Sequence, residues 1–404
     1  MTQMAEVTLG MILEARERLK KVVRHTDMVP SRVLSIPGKR EIFLKTECLQ
    51  MTGSFKVRGA YNMISHIPPE CRGRGVIAAS AGNHAQGVAL AAQAFGIGST
   101  IVMPEGAPLA KIAATREFGA EVLLHGLSFD DALEKALERQ RETGATFVHA
   151  FNDPLVIAGQ GSIGLEIMDD SQQGIDTVVV PIGGGGMAAG IAIAIKELYP
   201  NVKIVGVQAA GCPSMVKSIA AGKPLRLATA STVADGIAVK EPGDLTFDLI
   251  QKYVDELVTV DEDEIANAIL VMLERCKIVA EGAGAVSVAA VMHEKFDTSG
   301  RICCVVSGGN IDVTTLQLIL DRGLMKSGRL TKLNTMIQDR PGRLHRLLAV
   351  ISEAGANVVS IRHDRTNMEG GLGLAMLELV LETHHQQHLN AVLSAMKENG
   401  YKIL

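Results

Sequence analysis

Nineteen consecutive residues, Thr177 to Ile195, carry no charge, and this run limits the possible folds of the chain more than any other. Its length is about that of a membrane span. Its interior argues otherwise, because Pro181 and the four glycines Gly183 to Gly186 split it into a β-branched run and a small-residue helix ending near Leu198. Strand, glycine turn and helix in that order make half of a parallel-sheet unit, whose turn can surround an anion with backbone N–H groups. The alternation recurs upstream. Between Gly75 and Gly126 the pattern predicts strands over Val76–Ala79, Thr100–Met103 and Glu121–Leu124, with helices over His84–Phe95 and Leu109–Phe118, a βαβαβ unit. Ser128 to Thr143 reads as a charged amphipathic helix opening at a Ser/Asp cap. A second series starts at Thr177 and continues through Lys203–Val207 and Arg301–Val306, so an α/β protein with two parallel sheets is expected.

Around Gly323 to Arg329 the pattern pauses in Gly, Lys and Ser, and a smaller series follows. It predicts strands over Leu330–Ile337, Asn357–His363, Leu374–Leu381 and Tyr401–Leu404, with helices over Gly342–Ala354 and Gln387–Glu398. The order βαββαβ is that of a ferredoxin-like module. The expected division is therefore residues 1–326, with a small subdomain over about 50–150 inserted in a larger one, and residues 327–404.

At 404 residues and 47% hydrophobic, the chain can bury a large core. Its 40 basic and 44 acidic residues leave a net charge of -4 with no basic run, which argues against nucleic acid as a partner. The six cysteines, at 48, 71, 212, 276, 303 and 304, have no ligand spacing and read as reduced thiols. Met1 to His25 is broken by Glu6, Glu14, Arg16 and Glu17, so no secretory signal is expected and the cytoplasm is the expected location, with no membrane partner.

Four clusters can carry chemistry. In Ser54-Phe55-Lys56-Val57-Arg58-Gly59-Ala60 a lysine stands among apolar and small residues at the opening of a helix. It is either a solvated helix residue or, if desolvated, an amine able to form a Schiff base. Ser80-Ala81-Gly82-Asn83-His84 follows a strand and opens a helix, where free N–H groups could hold a carboxylate or simply cap a turn. Gly183-Gly184-Gly185-Gly186-Met187 could hold a phosphate. It also fits a loose dinucleotide fingerprint through Gly183, Gly185 and Ala188, but the acidic residue that should end the next strand is replaced by Gln208, which demotes hydride transfer. Ser307-Gly308-Gly309-Asn310 ends a strand in a small-residue turn, a position for a ligand group or a plain connector.

Taken in this order, together with Ala158-Gly159-Gln160-Gly161, Ala234-Asp235-Gly236-Ile237-Ala238-Val239 and Glu281-Gly282-Ala283-Gly284, the clusters resemble the fold type II pyridoxal-phosphate family, the tryptophan synthase β-like fold, and within it most closely the threonine dehydratases. The resemblance implies pyridoxal 5'-phosphate as cofactor, held by Lys56 as a Schiff base, with Phe55 packed on the ring and Asn83 bonded to the ring hydroxyl. It further implies phosphate binding by Gly183, Gly184, Gly185, Gly186 and Met187, and the substrate carboxylate at Ser80, Ala81, Gly82, Asn83 and His84. Ser307 would face the pyridine nitrogen; a hydroxyl there leaves that nitrogen largely neutral and favours loss of a β-hydroxyl over transamination. The reaction implied is deamination of threonine, and of serine, to a 2-oxo acid and ammonia, with Lys56 moving the α-proton. Related serine racemases carry a second serine where Ala81 stands, so elimination with little racemisation is expected. The family's divalent-metal carboxylate is replaced by Gln208, with Cys212 and Ser214 following, so no divalent metal is expected, while a monovalent ion stays an open alternative. The neighbouring readings are a serine or 3-hydroxyaspartate ammonia-lyase, or, from another class, an inert amino-acid sensor.

The run Asp339-Arg340-Pro341-Gly342-Arg343-Leu344, with Gly355-Ala356-Asn357-Val358 after the helix, resembles an ACT domain, the amino-acid-sensing module of biosynthetic enzymes. Isoleucine or valine is then the expected effector, with Asp339, Gly342, Leu344 and Asn357 as its candidate contacts, and a homodimer or homotetramer is expected. His384, His385 and His388 are a candidate metal group or solvated histidines.

Overall fold

The computed structural model describes residues 6–366 and 373–404. Chain contacts divide it into two compact units, the first ending at Asp312 and the second running Val313–Leu404.

The first unit holds two sheets. The larger has the strand order Met28–Pro30, Arg40–Lys45, Gly300–Val305, Thr177–Pro181, Lys203–Ala209, Glu256–Val260. Only the first pair is antiparallel. The smaller is wholly parallel, in the order Glu121–Leu124, Ser99–Met103, Val76–Ala79, Thr146–Phe147. The chain thus leaves the large sheet after Lys45 and returns to it at Thr177. Thr177–Pro181 and Val76–Ala79 are buried at every residue, which is why both read as unbroken apolar runs rather than as alternation.

The uncharged run becomes a buried strand and the helix Gly186–Leu198, buried from Gly186 to Ile195. Among the described residues no helix is long and apolar enough to cross a membrane. That helix packs against Pro154–Asp170, whose small residues allow close approach: a Cβ at Gly190 would lie 2.4 Å from the Ile157 carbonyl oxygen. Caps fall where the sequence puts them. Ser128 closes a capping box with Asp131 ahead of the helix Phe129–Thr143, and Asp153 caps Pro154–Asp170.

In the second unit, strands Leu330–Gln338, Leu374–Glu382 and Asn357–Asp364 form an antiparallel sheet in that order, with helices Arg343–Glu353 and Gln386–Glu398 supplying its core. This is an ACT-like module. Two expectations need correction here. The last strand, expected over Tyr401–Leu404, is reduced to one bridge, Ile403 to Thr335, after a turn at Gly400 with φ +83°. The pause expected from Gly323 is still helical, since Val313–Lys326 runs up to it and lies against Leu330–Gln338.

Candidate active site

Two strand ends build the site. In the small sheet the chain passes from Val76–Ala79 to one neighbour and later adds Thr146–Phe147 on the other side. In the large sheet Thr177–Pro181 lies likewise between Lys203–Ala209 and Gly300–Val305. These are switch points, where the loops after two adjacent strands part and leave a crevice. Ser80–His84 follows the first, Gly183–Met187 the second, and Ser307 follows the strand beside it, Gly300–Val305.

All the residues expected at the catalytic site from these runs, Phe55, Lys56, Ser80, Ala81, Gly82, Asn83, His84, the glycine loop with Met187, and Ser307, line one cavity of about 670 Å³. Lys56 is the first residue of the helix Lys56–Ser65. Its Nζ lies 3.0 Å from the Ala150 carbonyl oxygen and 5.2 Å from the centre of the Phe55 ring. Burial lowers its amine from the usual 10.5 to about 8, against the opposing pull of Glu281. Desolvation favours the reactive-amine reading of this lysine over the solvated one. In the first turn of the same helix, Arg58 is completely buried and bonded to Glu47 at 2.8 Å and Glu166 at 2.6 Å, which anchors the turn that carries Lys56.

The glycine loop is a cradle that side chains would fill. A Cβ at Gly184 would sit 2.3 Å from the Phe151 ring, and Gly185 opens the following helix at φ +97°. Thr246 Oγ donates to the Gly184 carbonyl at 2.6 Å. The N–H groups of the helix's first turn have no intrahelical partner, so this end of the cavity suits a phosphate.

Both cavity histidines are neutral. His84, 3% exposed, is lowered to about 3 by burial and by the Lys56 charge, and its Nε2 faces the Val148 carbonyl at 2.8 Å. The proton therefore sits on Nε2, leaving Nδ1 a buried acceptor with no partner. His149, lowered to about 4 chiefly by burial, accepts the Phe151 and Asn152 N–H groups on Nδ1 and so carries its proton on Nε2. Ser307 is buried, its Oγ 3.3 Å from the Ala283 carbonyl. Glu281 is raised to about 7, first by burial and then by Asp235, with Lys111, Asn83 and Lys56 opposing.

Glu281 and Asn310 stand in runs visible in the sequence, yet nothing local assigns them a role; His149, Phe151 and Thr246 belong to no motif at all. Gln208 spends its amide on structure, donating to the Ile182 carbonyl at 3.2 Å and accepting the Val216 N–H at 3.0 Å. Among the described residues no group of three or more His, Cys, Asp or Glu side chains is arranged to hold a metal. His385 caps the last helix, while His388 accepts the His384 N–H at 3.1 Å and reaches the Ala354 carbonyl at 2.8 Å. Capping accounts for those two rings.

The effector candidates do not converge. Asp339 pairs with Arg365 at 2.6 Å, Gly342 opens the helix Arg343–Glu353, and Leu344 packs on the core of the module. Asn357 is at the other end of the sheet, opposite Glu382, roughly 26 Å away along a strand rising ~3.3 Å per residue.

The sequence pattern of the family described as pyridoxal-phosphate dependent enzyme matches residues 19–308. The chain belongs to that family, and pyridoxal phosphate is its cofactor. An L-threonine ammonia-lyase of Thermotoga maritima is 54% identical over 398 residues, 98% of this chain and 99% of its own length. A catabolic L-threonine dehydratase of Escherichia coli is 45% identical over 316 residues, 78% of this chain and 96% of its own. Maize serine racemase, a solved structure, aligns with a TM-score of 0.74 at 34% identity, over 80% of this chain and 99% of that one.

Proposed function

We propose that the chain is an L-threonine ammonia-lyase, converting L-threonine to 2-oxobutanoate and ammonia, and L-serine to pyruvate and ammonia, by loss of water. The observation that carries this reading is the convergence of the Lys56 amine, the glycine-loop cradle and the buried Ser307 hydroxyl on one cavity. Bound pyridoxal phosphate supplies an electron-withdrawing ring for the substrate nitrogen. In this reading Lys56 holds the cofactor and, once freed, removes the α-proton. Residues Gly183 to Met187 hold the phosphate, Phe55 packs on the ring, Asn83 meets the ring hydroxyl, and Ser307 turns its hydroxyl to the ring nitrogen.

The substrate carboxylate goes to the backbone N–H groups of Ser80 to His84. The His84 ring cannot help, because its unpartnered Nδ1 is an acceptor and would repel an anion. Ala81 lines the cavity with a methyl group, so Lys56 has no hydroxyl partner at that position and elimination is favoured over racemisation. The C-terminal module senses isoleucine or valine, and since Asn357 lies far from Asp339 and Gly342 within one copy, a site using all of them takes contacts from two chains of a homodimer or homotetramer. The six unpaired cysteines agree with a reducing, cytoplasmic setting.

Initial rates with threonine, serine and 3-hydroxyaspartate, with and without isoleucine, test the reading. Threonine should be deaminated fastest and isoleucine should slow it; a preference for 3-hydroxyaspartate would transfer the chain to the neighbouring ammonia-lyase class.

A further inference from the structure

Asn83 lies at the end of a chain of amide contacts whose direction is fixed from outside the cavity. Asn310 does not line the cavity. Its Nδ2 is 2.8 Å from the backbone carbonyl of Thr52 and 2.8 Å from the Asn83 side chain. A carbonyl can only accept, so the Asn310 atom facing Thr52 is the nitrogen, and both its hydrogens are spent on these two contacts. The Asn83 atom that faces it is therefore the oxygen. The Asn83 nitrogen is turned to Glu281 Oε1 at 2.6 Å. One N–H of Asn83 goes to that carboxylate, which leaves one N–H as the only donor Asn83 can offer a bound group.

The surroundings are shaped for this chain of contacts. A Cβ at Gly308 would lie 2.3 Å from Glu281 Oε1, and one at Gly53 would lie 2.2 Å from Asn310 Oδ1. Glycine at both positions lets the polar groups approach. The same two segments are joined by a bridge from Ser54 to Gly308 and by the Gly309 N–H bonded to the Gly53 carbonyl at 2.9 Å. The loop that carries Lys56 and the turn after Ser307 thus hold the amide relay between them.

We propose that Asn310 is a positioning residue which, with Glu281 as second anchor, locks Asn83 as a hydrogen-bond donor toward the phenolic oxygen of the cofactor ring. The lock rests on the reading that Asn83 meets that oxygen. A donor there stabilises the oxygen as an anion; an Asn83 turned over would present its own oxygen and repel it.

The test compares holoenzyme variants by absorption spectrum of the bound cofactor, cofactor Kd and thermal midpoint. Asn310→Asp has no donor for Asn83 and draws the Asn83 nitrogen toward itself, turning the amide. It should raise cofactor Kd about tenfold, the loss of one charge-assisted hydrogen bond, and change the spectrum in the same sense as Asn83→Ala, although residue 310 is outside the cavity. Asn310→Ala, which only frees the amide, should give a smaller shift. In Asn310→Asp with Glu281→Gln the glutamine amide can donate to the turned Asn83 oxygen, so part of the lost thermal stability returns while the spectrum stays altered relative to Glu281→Gln alone. Wild-type spectrum and Kd in both Asn310 variants, or recovery of spectrum and stability together in the double variant, would overturn the lock. A wild-type spectrum in Asn83→Ala would remove the ring contact itself, and the lock with it.

Discussion

Lys56 owes its reactivity to its surroundings, not to its side chain alone. Burial disfavours the ammonium form, and the neutral amine is the form that attacks a carbonyl. Below about 8 the amine of the cofactor-free protein is mostly protonated and above it mostly neutral, so the rate of cofactor uptake should rise with pH and level off beyond about 8. Stopped-flow absorbance of pyridoxal phosphate addition measures this; a rate still climbing at pH 10 would mean an amine at its ordinary value. Glu281→Gln removes an influence that raises the Lys56 value, and should move the profile to lower pH. Ala81→Ser is the complementary change. It places a hydroxyl on the cavity wall and should add serine racemisation to a protein that otherwise eliminates, read by chiral chromatography of the remaining substrate.

At the scale of elements, the phosphate cradle depends on the fit between the glycine loop and the segment Phe147–Asn152. Gly184→Ala puts a methyl group into the Phe151 ring, and since Thr246 holds the Gly184 carbonyl the loop cannot simply retreat. The strain should cost about 1–3 kcal/mol of stability and weaken cofactor binding, measured by denaturant unfolding and cofactor titration; a variant matching the parent in both would mean that the loop is loosely held. Much of this element was readable beforehand. A β-branched run, four glycines and a small-residue helix have few alternatives, and the capped helix Phe129–Thr143 likewise announced itself through Ser128 and Asp131. Phe151, Thr246 and His149 were not readable, because their roles come from where two distant segments meet the loop, and no local pattern records that meeting.

For the whole molecule, the match to the Escherichia coli dehydratase spans 96% of that protein but 78% of this chain. Chains ending after Asp312 or after Ser327 should both retain threonine deamination and both lose the response to isoleucine. They should differ in solubility. The longer one keeps the helix Val313–Lys326, on which Val313, Leu318 and Met325 are already exposed, without the strand it lies against, and should self-associate in light scattering. Persistent inhibition by isoleucine in either truncated chain would place the effector site in the catalytic unit. What the sequence by itself determined is local: which runs are buried strands, where glycines open turns, where helices are capped, and which clusters follow strand ends, since these depend on near neighbours and short-range periodicity. Only the tertiary structure decided which clusters share a cavity, that Lys56 loses its water there, which way Asn83 points, and that Asn357 lies apart from Asp339. Each of those depends on desolvation or on contacts between residues tens to hundreds of positions apart, which folding brings together and periodicity does not reveal.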